Sequence, residues 1–325
     1  MQIAVKQYHT PESMNIEVQI LDPSILSRLL TKGFLAVTQD YSIRFISEGK
    51  LRNEGAASAI RDGIGCGFKR LAECREIPGC LCPYCRIFKP APPPGSAGGI
   101  SPGFVIETYK LPKSPKPGDT ADVKVTLIGS ASDSLVWFTA ALLYCGELGI
   151  GRPNARFTVT VKGNPKVHEM SNILSEAASL SEVKECSIRF RSPCIIEDRG
   201  LRRNDIDFPR LIKAIVERIQ PSVGFWCENM IRNKDRDAIA ADTIADASLL
   251  TSSFSLSRVV HERTKDFKGT EDSISGFIGR LNVSGNLGQF WPLLLVGEIL
   301  HVGLRPHLDR GRYTIEPYVV EELVY

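Results

Sequence analysis

Apolar and polar residues alternate in several short segments of the first half of the chain, as expected of strands with one buried face. These segments are 41–47, 104–111, 121–128 and 155–162. Apolar residues recur at helical spacing over 54–74, and 134–148 is an apolar stretch of helical length. The pattern therefore predicts the order strand, helix, strand, strand, helix, strand.

The second half of the sequence repeats this order. Strands are predicted over 185–190, 254–262, 274–283 and 311–318, and helices over 208–219 and 290–302. Both halves also carry Gly-Glu at the end of the second helix, as Gly146-Glu147 and Gly297-Glu298. The repeated order predicts an α+β protein with tandem ferredoxin-like (RRM-like) domains, each an antiparallel sheet with two helices on one face. The alternative is two unrelated α+β domains with similar junctions.

The repeats also set the expected domain boundaries. We predict an N-terminal segment, 1–35, that fits neither repeat, a first ferredoxin-like domain over 36–164 and a second over 165–325. A chain of 325 residues agrees with two domains, because domains typically hold about 150 residues. The first domain contains a cysteine-rich insertion and a segment rich in proline and glycine, 90–102, which is predicted to be a loop.

Composition and charge narrow the class of protein further. Lys and Arg total 40 against 37 for Asp and Glu, so a nucleic-acid partner would have to be bound by local basic patches. Residues 1–9 have no apolar core long enough for a signal peptide, and no later uncharged run approaches the ~20 residues of a membrane span. We therefore expect a cytoplasmic protein with no membrane partner. An odd number of cysteines, nine, also favours a reducing compartment over a disulfide scaffold.

Four of the cysteines are spaced as metal ligands. Cys80, Cys82 and Cys85 lie within six positions, and Cys74 at the end of the preceding predicted helix offers a fourth thiol. Four thiolates suit a tetrahedral structural zinc ion, so the spacing predicts such a site, with Cys66 as an alternative fourth ligand. Without the metal, these residues would be ordinary reduced thiols in a loop.

Four stretches occur in an order that is typical of one known family. They are 59–74 with an Arg-x-Gly-x-Gly opening, 103–107 followed by 127–129 and 148–157, then 277–287, and finally 293–303 closing with 311–313. These stretches resemble the CRISPR pre-crRNA processing endoribonucleases, the sixth numbered Cas family of the repeat-associated mysterious protein (RAMP) superfamily. The resemblance covers about residue 36 to the C-terminus. It implies tandem ferredoxin-like domains, binding of CRISPR repeat RNA, and cleavage of that RNA without a metal cofactor.

The sequence departs from the family in the loop that follows His301-Val302-Gly303. Family members usually carry a glycine-rich loop there, whereas residues 304–310 include a proline and bulky side chains. Arginine side chains are the alternative contacts, because guanidinium matches phosphate geometry. The predicted RNA-binding residues are Arg202, Arg203, Gly303, Arg305, Arg310, Gly311 and Arg312. The alternative is a loop that has lost its contact with RNA.

Metal-independent RNA cleavage requires a general base for a 2′-hydroxyl, and histidine is the usual choice. The family's catalytic histidine often lies near the first helix, but residues 33–84 contain none. His301 is the first candidate, since it occupies the family's His-Val-Gly motif, and His307 in the loop is the second. The remaining histidines are His9, His168 and His261. Two functions stay open: an endoribonuclease acting on pre-crRNA, or a catalytically inactive RNA-binding subunit that joins other CRISPR effector subunits.

Overall fold

The computed structural model describes residues 25–318 except for a set of short gaps. The gaps are 31, 52–55, 78, 92–99, 110, 199–200, 204, 229–232, 261–263, 266–270 and 273–274. Most of the predicted loop at 90–102 lies outside the described residues, as do the candidate histidines His9 and His261. For residues 201–203 only the backbone is described.

The first half forms a four-stranded antiparallel sheet. Its strands are β1 (Leu35–Phe45), β2 (Phe104–Tyr109), β3 (Thr120–Ile128) and β4 (Phe157–Glu169), in the order β2-β3-β1-β4. Helices α2 (Ala56–Leu71) and α4 (Leu135–Leu148) cover one face. Aromatic side chains fill the space between, with the Phe138 ring 5.2 Å from that of Phe68 and 5.4 Å from that of Phe104. The hydroxyl of Tyr41 on β1 also reaches Thr139 on α4 at 2.7 Å.

The second half forms a sheet of the same kind. Its strands are β5 (Glu185–Cys194), β8 (Thr251–Val260), β11 (Ser275–Ser284) and β12 (Tyr313–Pro317), in the order β12-β5-β11-β8. Helices α6 (Phe208–Ile219) and α8 (Trp291–Leu300) pack against it, and the hydroxyl of Tyr313 donates to the Leu294 carbonyl at 2.6 Å. Each half thus places its fourth strand beside its first and its first beside its third. The predicted tandem ferredoxin-like fold is confirmed.

Several elements lie outside the repeated pattern. They are α1 (Ile25–Leu29), α3 (Pro83–Phe88), α5 (Met170–Ser179), α7 (Asn233–Ala247), and the short pairs β6 (Ile196–Asp198) with β7 (Leu201–Arg203) and β9 (Thr264–Lys265) with β10 (Glu271–Asp272). The α1 helix buries Ile25, Leu26 and Leu29, and it contacts α7 and α8 of the second half. The N-terminal segment therefore contributes to the core, while the predicted domain boundaries stay a prediction. Within the described residues, no helix is both long and apolar enough to cross a membrane.

The two halves meet where β2 approaches the segment after α8. The polar face of the first sheet, opposite to α2 and α4, carries Thr38, Lys124 and His168. Helix α8 of the second half lies over this face, and together with α5 they line a cavity of about 410 Å³. The predicted site residues His301 to Arg312 follow α8 directly, so the fold brings them against the first half.

Candidate functional site

The loop from His301 to Arg312 is held against the backbone at the end of β5. The amide of Leu304 donates to the Ile195 carbonyl at 2.8 Å, and the amide of Gly311 donates to the Pro193 carbonyl at 3.0 Å. Gly303 and Gly311 have φ angles of +79° and +64°, which favour glycine. A Cβ at Gly311 would also collide with the Val302 carbonyl oxygen. Packing of the loop therefore accounts for both glycines in this conformation, and their contact with phosphate stays a prediction.

His301 is fully buried at the interface between the two halves. Its Nε2 lies 3.5 Å from Oε1 of Glu107 on β2, and both side chains are nearly inaccessible. Arg312 and Lys124 also approach this carboxylate, with nitrogen to oxygen distances of 3.2 and 3.7 Å, and the Tyr109 hydroxyl donates to it. Burial alone would raise the pKa of Glu107, but His301 and Lys124 hold it well below its usual range. We call these five residues, Glu107, Tyr109, Lys124, His301 and Arg312, the Glu107 cluster.

Arg312 and Asp309 connect the loop to strand β2. The guanidinium of Arg312 lies over the Tyr109 ring at 4.3 Å, and its Nη1 is 3.5 Å from Oδ1 of Asp309. The other carboxylate oxygen of Asp309 accepts from the amide of Thr108 at 3.2 Å and from its hydroxyl at 3.4 Å. Arg312 is therefore already engaged by protein groups in this conformation. Its predicted contact with RNA stays a prediction.

The cleft between α8 and the first sheet holds two titratable groups near cationic side chains. Burial and the neighbouring Glu176 raise the pKa of Glu298 to about 7. Burial, Lys166 and Lys124 lower the pKa of His168 to about 4, and its Nε2 lies 3.2 Å from the Thr38 hydroxyl. The structure thus places His168 in the same cavity as Glu298, a carboxyl group that titrates near neutral pH.

His307 lies in a short 3-10 turn of the loop and is surrounded by arginines. Its Nδ1 is buried and has no hydrogen-bond partner in the described part of the chain, and its ring contacts Phe104 edge-on with centroids 6.3 Å apart. Burial and four nearby guanidinium groups lower the pKa of His307 to about 3. Those groups belong to Arg218, Arg61, Arg305 and Arg310. At neutral pH the structure therefore holds a neutral imidazole in a strongly positive environment.

Beside His307 lies a cavity of about 440 Å³ at the boundary between the two halves. Residues 100–102, which precede β2, line one side, α6 lines another, and the loop 303–307 closes it. The exposed Arg305 lies at its edge, whereas Arg218 of α6 is only 6% exposed. Arg218 was not among the predicted RNA-binding residues, although it occupies an apolar position of an amphipathic helix. That mismatch between residue type and position is the signal that could have identified it.

Arg202 and Arg203, which are also predicted to bind RNA, lie in a hairpin that borders the same cavity. Strand β7 pairs with β6 so that Arg202 lies opposite Glu197 and Arg203 opposite Ile196. Ile196 and Glu197 both line the cavity. Arg202 and Arg203 thus belong to a hairpin at its border, although their side chains are outside the described atoms.

The four cysteines converge as the spacing predicted. The Sγ atoms of Cys74, Cys80, Cys82 and Cys85 all lie within 4.8 Å of one another, with 3.4 Å between those of Cys74 and Cys85. Thiolates at 2.3 Å from a tetrahedral zinc ion lie about 3.8 Å apart, so the group fits such an ion. Despite burial, the amide of Cys85 and the neighbouring thiols lower the pKa of Cys82 to about 7, which favours a thiolate ligand. Cys66 is exposed on α2 and is not part of this group.

The fold and the site define a class: a protein of two ferredoxin-like domains in tandem, with a basic cavity and a four-cysteine group that could hold a metal. Residues 188–312 match the family model of the CRISPR-associated endoribonuclease Cas6, and residues 37–185 match a model described as an N-terminal domain. The second half of the chain is thus similar to the Cas6 endoribonucleases, the family that the sequence resembles. A comparison with curated proteins found no match.

Solved structures of Cas6 proteins share this fold. A Cas6 product complex aligns with a TM-score of 0.53 and 14% identity, covering 88% of this chain and 100% of the other. Cas6 from Thermus thermophilus aligns with a TM-score of 0.50 and 12% identity, covering 87% and 99%. A partial Cas6-RT-Cas1–Cas2 complex aligns with a TM-score of 0.55 and 12% identity, covering 90% of this chain and 48% of the other.

Proposed function

We propose that the protein binds CRISPR repeat RNA and cleaves pre-crRNA within the repeat, releasing crRNA units without a catalytic metal ion. The observation that carries the proposal is the neutral His307 among four arginines at a cavity, in a chain whose residues 188–312 match an endoribonuclease family model. A neutral imidazole can accept a proton, and guanidinium groups stabilise the charge that develops on phosphate.

In the proposed reaction, His307 takes the proton of a 2′-hydroxyl, and the 2′-oxygen attacks the adjacent phosphorus. The bond from phosphorus to the 5′-oxygen breaks, and the departing oxygen is protonated by a donor of the site or by water. The products are a 2′,3′-cyclic phosphate and a 5′-hydroxyl. Arg305 and Arg61 are suited to hold the phosphate, because guanidinium binds its oxygens in pairs.

His301 stays the other predicted catalytic residue. It is fully buried beside Glu107, so it would meet RNA only if the two halves separated at this contact. In the observed conformation its contact with Glu107 suits a positioning role for that carboxylate. Replacing His307 is therefore expected to change the cleavage rate, whereas replacing His301 is expected to change mainly stability.

The second candidate function is a catalytically inactive RNA-binding subunit of a CRISPR effector complex. The observation that favours it is the burial of His301 together with the absence of histidine between residues 33 and 84. Such a subunit would use the same basic residues: Arg202, Arg203, Arg305, Arg310 and Arg312 with the loop glycines Gly303 and Gly311.

The two functions are separated by one cleavage assay. We expect the purified protein to cut RNA of its native repeat at one position in the presence of a chelator, leaving a 2′,3′-cyclic phosphate. A single 2′-deoxy substitution at the scissile nucleotide should abolish cutting, because it removes the nucleophile. Tight binding without cleavage would support the inactive subunit, and neither binding nor cleavage would contradict both functions.

The four cysteines are proposed to hold a structural zinc ion. Cys74 ends the turn after α2, whereas Cys82 and Cys85 begin α3, so a shared metal would fix these two helices to each other. All four positions of a tetrahedral ion would be occupied by protein, which leaves none for a substrate. The proposal therefore assigns zinc to stability and no metal to catalysis.

Replacing Cys82 with Ser is expected to remove most bound zinc and to lower the free energy of unfolding by roughly 2 kcal/mol. Metal binding contributes to folding because the site does not exist in the unfolded chain. Zinc content by elemental analysis and thermal unfolding would measure the two effects together. Cys66→Ser is the matched control, since Cys66 lies outside the group. Equal zinc content and stability in wild type and Cys82→Ser would contradict the zinc assignment.

Partners and location complete the proposal. The similar structures include a Cas6 product complex and a Cas6 joined to RT and Cas1–Cas2 components. We propose that this chain likewise acts on CRISPR RNA and contacts other CRISPR proteins. A cytoplasmic location agrees with its nine free cysteines, because cysteines stay reduced in that compartment.

A further inference from the structure

Arg218 is a buried guanidinium with incomplete partners. It lies on α6 with a residual exposure of 6%. Its Nη1 donates to the hydroxyl of Ser101, and its Nε donates to the Leu300 carbonyl at 3.4 Å. Its Nη2 is buried and has no hydrogen-bond partner within the described residues. An arginine normally presents five donors, so this side chain keeps binding capacity that protein groups do not use.

Within the described residues, the charge of Arg218 is also uncompensated. Among the residues that the structure describes, no carboxylate forms an ion pair with it, and burial lowers its pKa to about 10 without an opposing charge. The exposed Glu197 and Glu217 line the edge of the cavity, where Glu217 lies 3.9 Å from Lys213. At neutral pH the guanidinium remains charged. A buried charge that no described carboxylate compensates is destabilising, so stability alone does not account for it.

The surroundings of Arg218 select for an anion. It lines the cavity of about 440 Å³ together with Arg305, His307 and the backbone of Gly303. The positive charges of the surrounding arginines also lower the pKa of His307, and among the arginines Arg218 contributes most to this shift. A neutral or cationic ligand would leave Arg218 unpaired, whereas a phosphate would accept from its free donor and compensate its charge.

We infer that Arg218 forms a phosphate-binding subsite of this cavity and that the phosphate belongs to the RNA backbone. The assignment to RNA rests on the proposed function, whereas the anion site itself does not. Arg218 orients one phosphate beside His307, while Ser101 and the Leu300 carbonyl fix the plane of the guanidinium. Arg218 is thus a positioning and binding residue for the proposed cleavage.

The anion site is tested by thermal unfolding with inorganic phosphate as the ligand, against sodium chloride at equal ionic strength. Phosphate should raise the melting temperature of the wild type, because a ligand that binds only the folded state stabilises it. Arg218→Met, which keeps a similar volume without charge, should lose this increment whatever its stability in chloride. Arg210→Met is the matched control on α6, since Arg210 pairs with Asp207 at 2.9 Å on the surface. If phosphate raises the melting temperature of wild type and Arg218→Met equally, the phosphate-binding subsite is overturned.

The RNA assignment is tested with uncleavable 2′-deoxy repeat RNA. Arg218→Met should weaken its binding by about 10- to 100-fold, which is the range for a hydrogen bond to a charged group. The slope of log K against log salt should fall by about 0.7, as expected for one lost phosphate contact with a single strand. Arg218→Met could lose the rise in melting temperature with phosphate and still bind repeat RNA as tightly as the wild type. That result would overturn the assignment to RNA but keep the anion site. If the wild type binds no repeat RNA at all, the proposed function fails, and the phosphate experiment still decides the anion site.

Discussion

Replacing His307 with Gln should lower the rate of repeat RNA cleavage by about 10²- to 10⁴-fold, the range that general base catalysis contributes. Gln keeps polarity and similar size but cannot accept the proton of a 2′-hydroxyl at neutral pH. RNA binding should change little, because the surrounding arginines remain. The measurement is single-turnover cleavage at saturating protein, which separates the chemical step from binding.

The matched variant for this experiment is His301→Gln, which removes the other candidate. If His301 acts only by positioning, its variant should lose stability and show a smaller loss of rate at temperatures where it is folded. Circular dichroism of both variants would establish the folded fraction. If His307→Gln keeps full activity while folded His301→Gln loses cleavage, His301 and not His307 is the general base.

The pH dependence gives an independent readout of His307. In the free protein its pKa is about 3, so the imidazole is neutral across the physiological range. The pH profile of kcat/KM reports the pKa values of the free enzyme. Protonation of His307 should therefore not lower kcat/KM as the pH falls from 7 to 5. A bound phosphate adds negative charge beside the ring and raises its pKa in the complex. The kcat profile should consequently fall with acid at a higher pH than the kcat/KM profile does.

The fold was predictable because its signals are local. The alternation in 121–128 and the apolar stretch 134–148 each specify an element whose bounds in the structure differ by one residue at most. Strand β4 is longer than predicted, since it continues to Glu169 through a segment whose residues are mostly exposed. An exposed strand lacks the alternation that marks one buried face, so its extension left no signal.

The candidate site was only partly predictable because its residues meet across the two halves. The loop residues and the four cysteines were found from spacing within short segments. Glu107 and Arg218 were missed, since a carboxylate on β2 and an arginine on α6 acquire their roles only when the halves pack together. Arg218 did carry a clue, as a charged residue on the buried side of an amphipathic helix.

The Glu107 cluster leads to the second prediction of large effect. Glu107→Gln should lower the free energy of unfolding by about 3–5 kcal/mol, because breaking a buried ion pair leaves its partners charged and unpaired. The charged partners here are Arg312 and Lys124, which approach from the two halves of the chain. The measurement is denaturant unfolding at pH 7, with the midpoint and the slope fitted separately.

A surface carboxylate provides the matched control. Glu316 on β12 also faces arginines, with Arg191 at 3.1 Å and Arg280 at 3.5 Å, but its side chain is 38% exposed. Exposed ion pairs contribute at most about 1 kcal/mol, so Glu316→Gln should have a small effect. Similar losses in the two variants would contradict a special role for the buried cluster.

The pH dependence of the same variant tests the cause of the effect. The pKa of Glu107 is held below its usual range in the folded state, so its contribution to stability is present above the unfolded value of about 4.3. That contribution is lost as pH falls from about 4.3 towards the lower folded pKa. The difference in stability between wild type and Glu107→Gln should therefore be full at pH 7 and shrink below pH 4.3. A difference that stays constant on acidification would mean that Glu107 stabilises the interface through its shape and hydrogen bonds rather than through its charge.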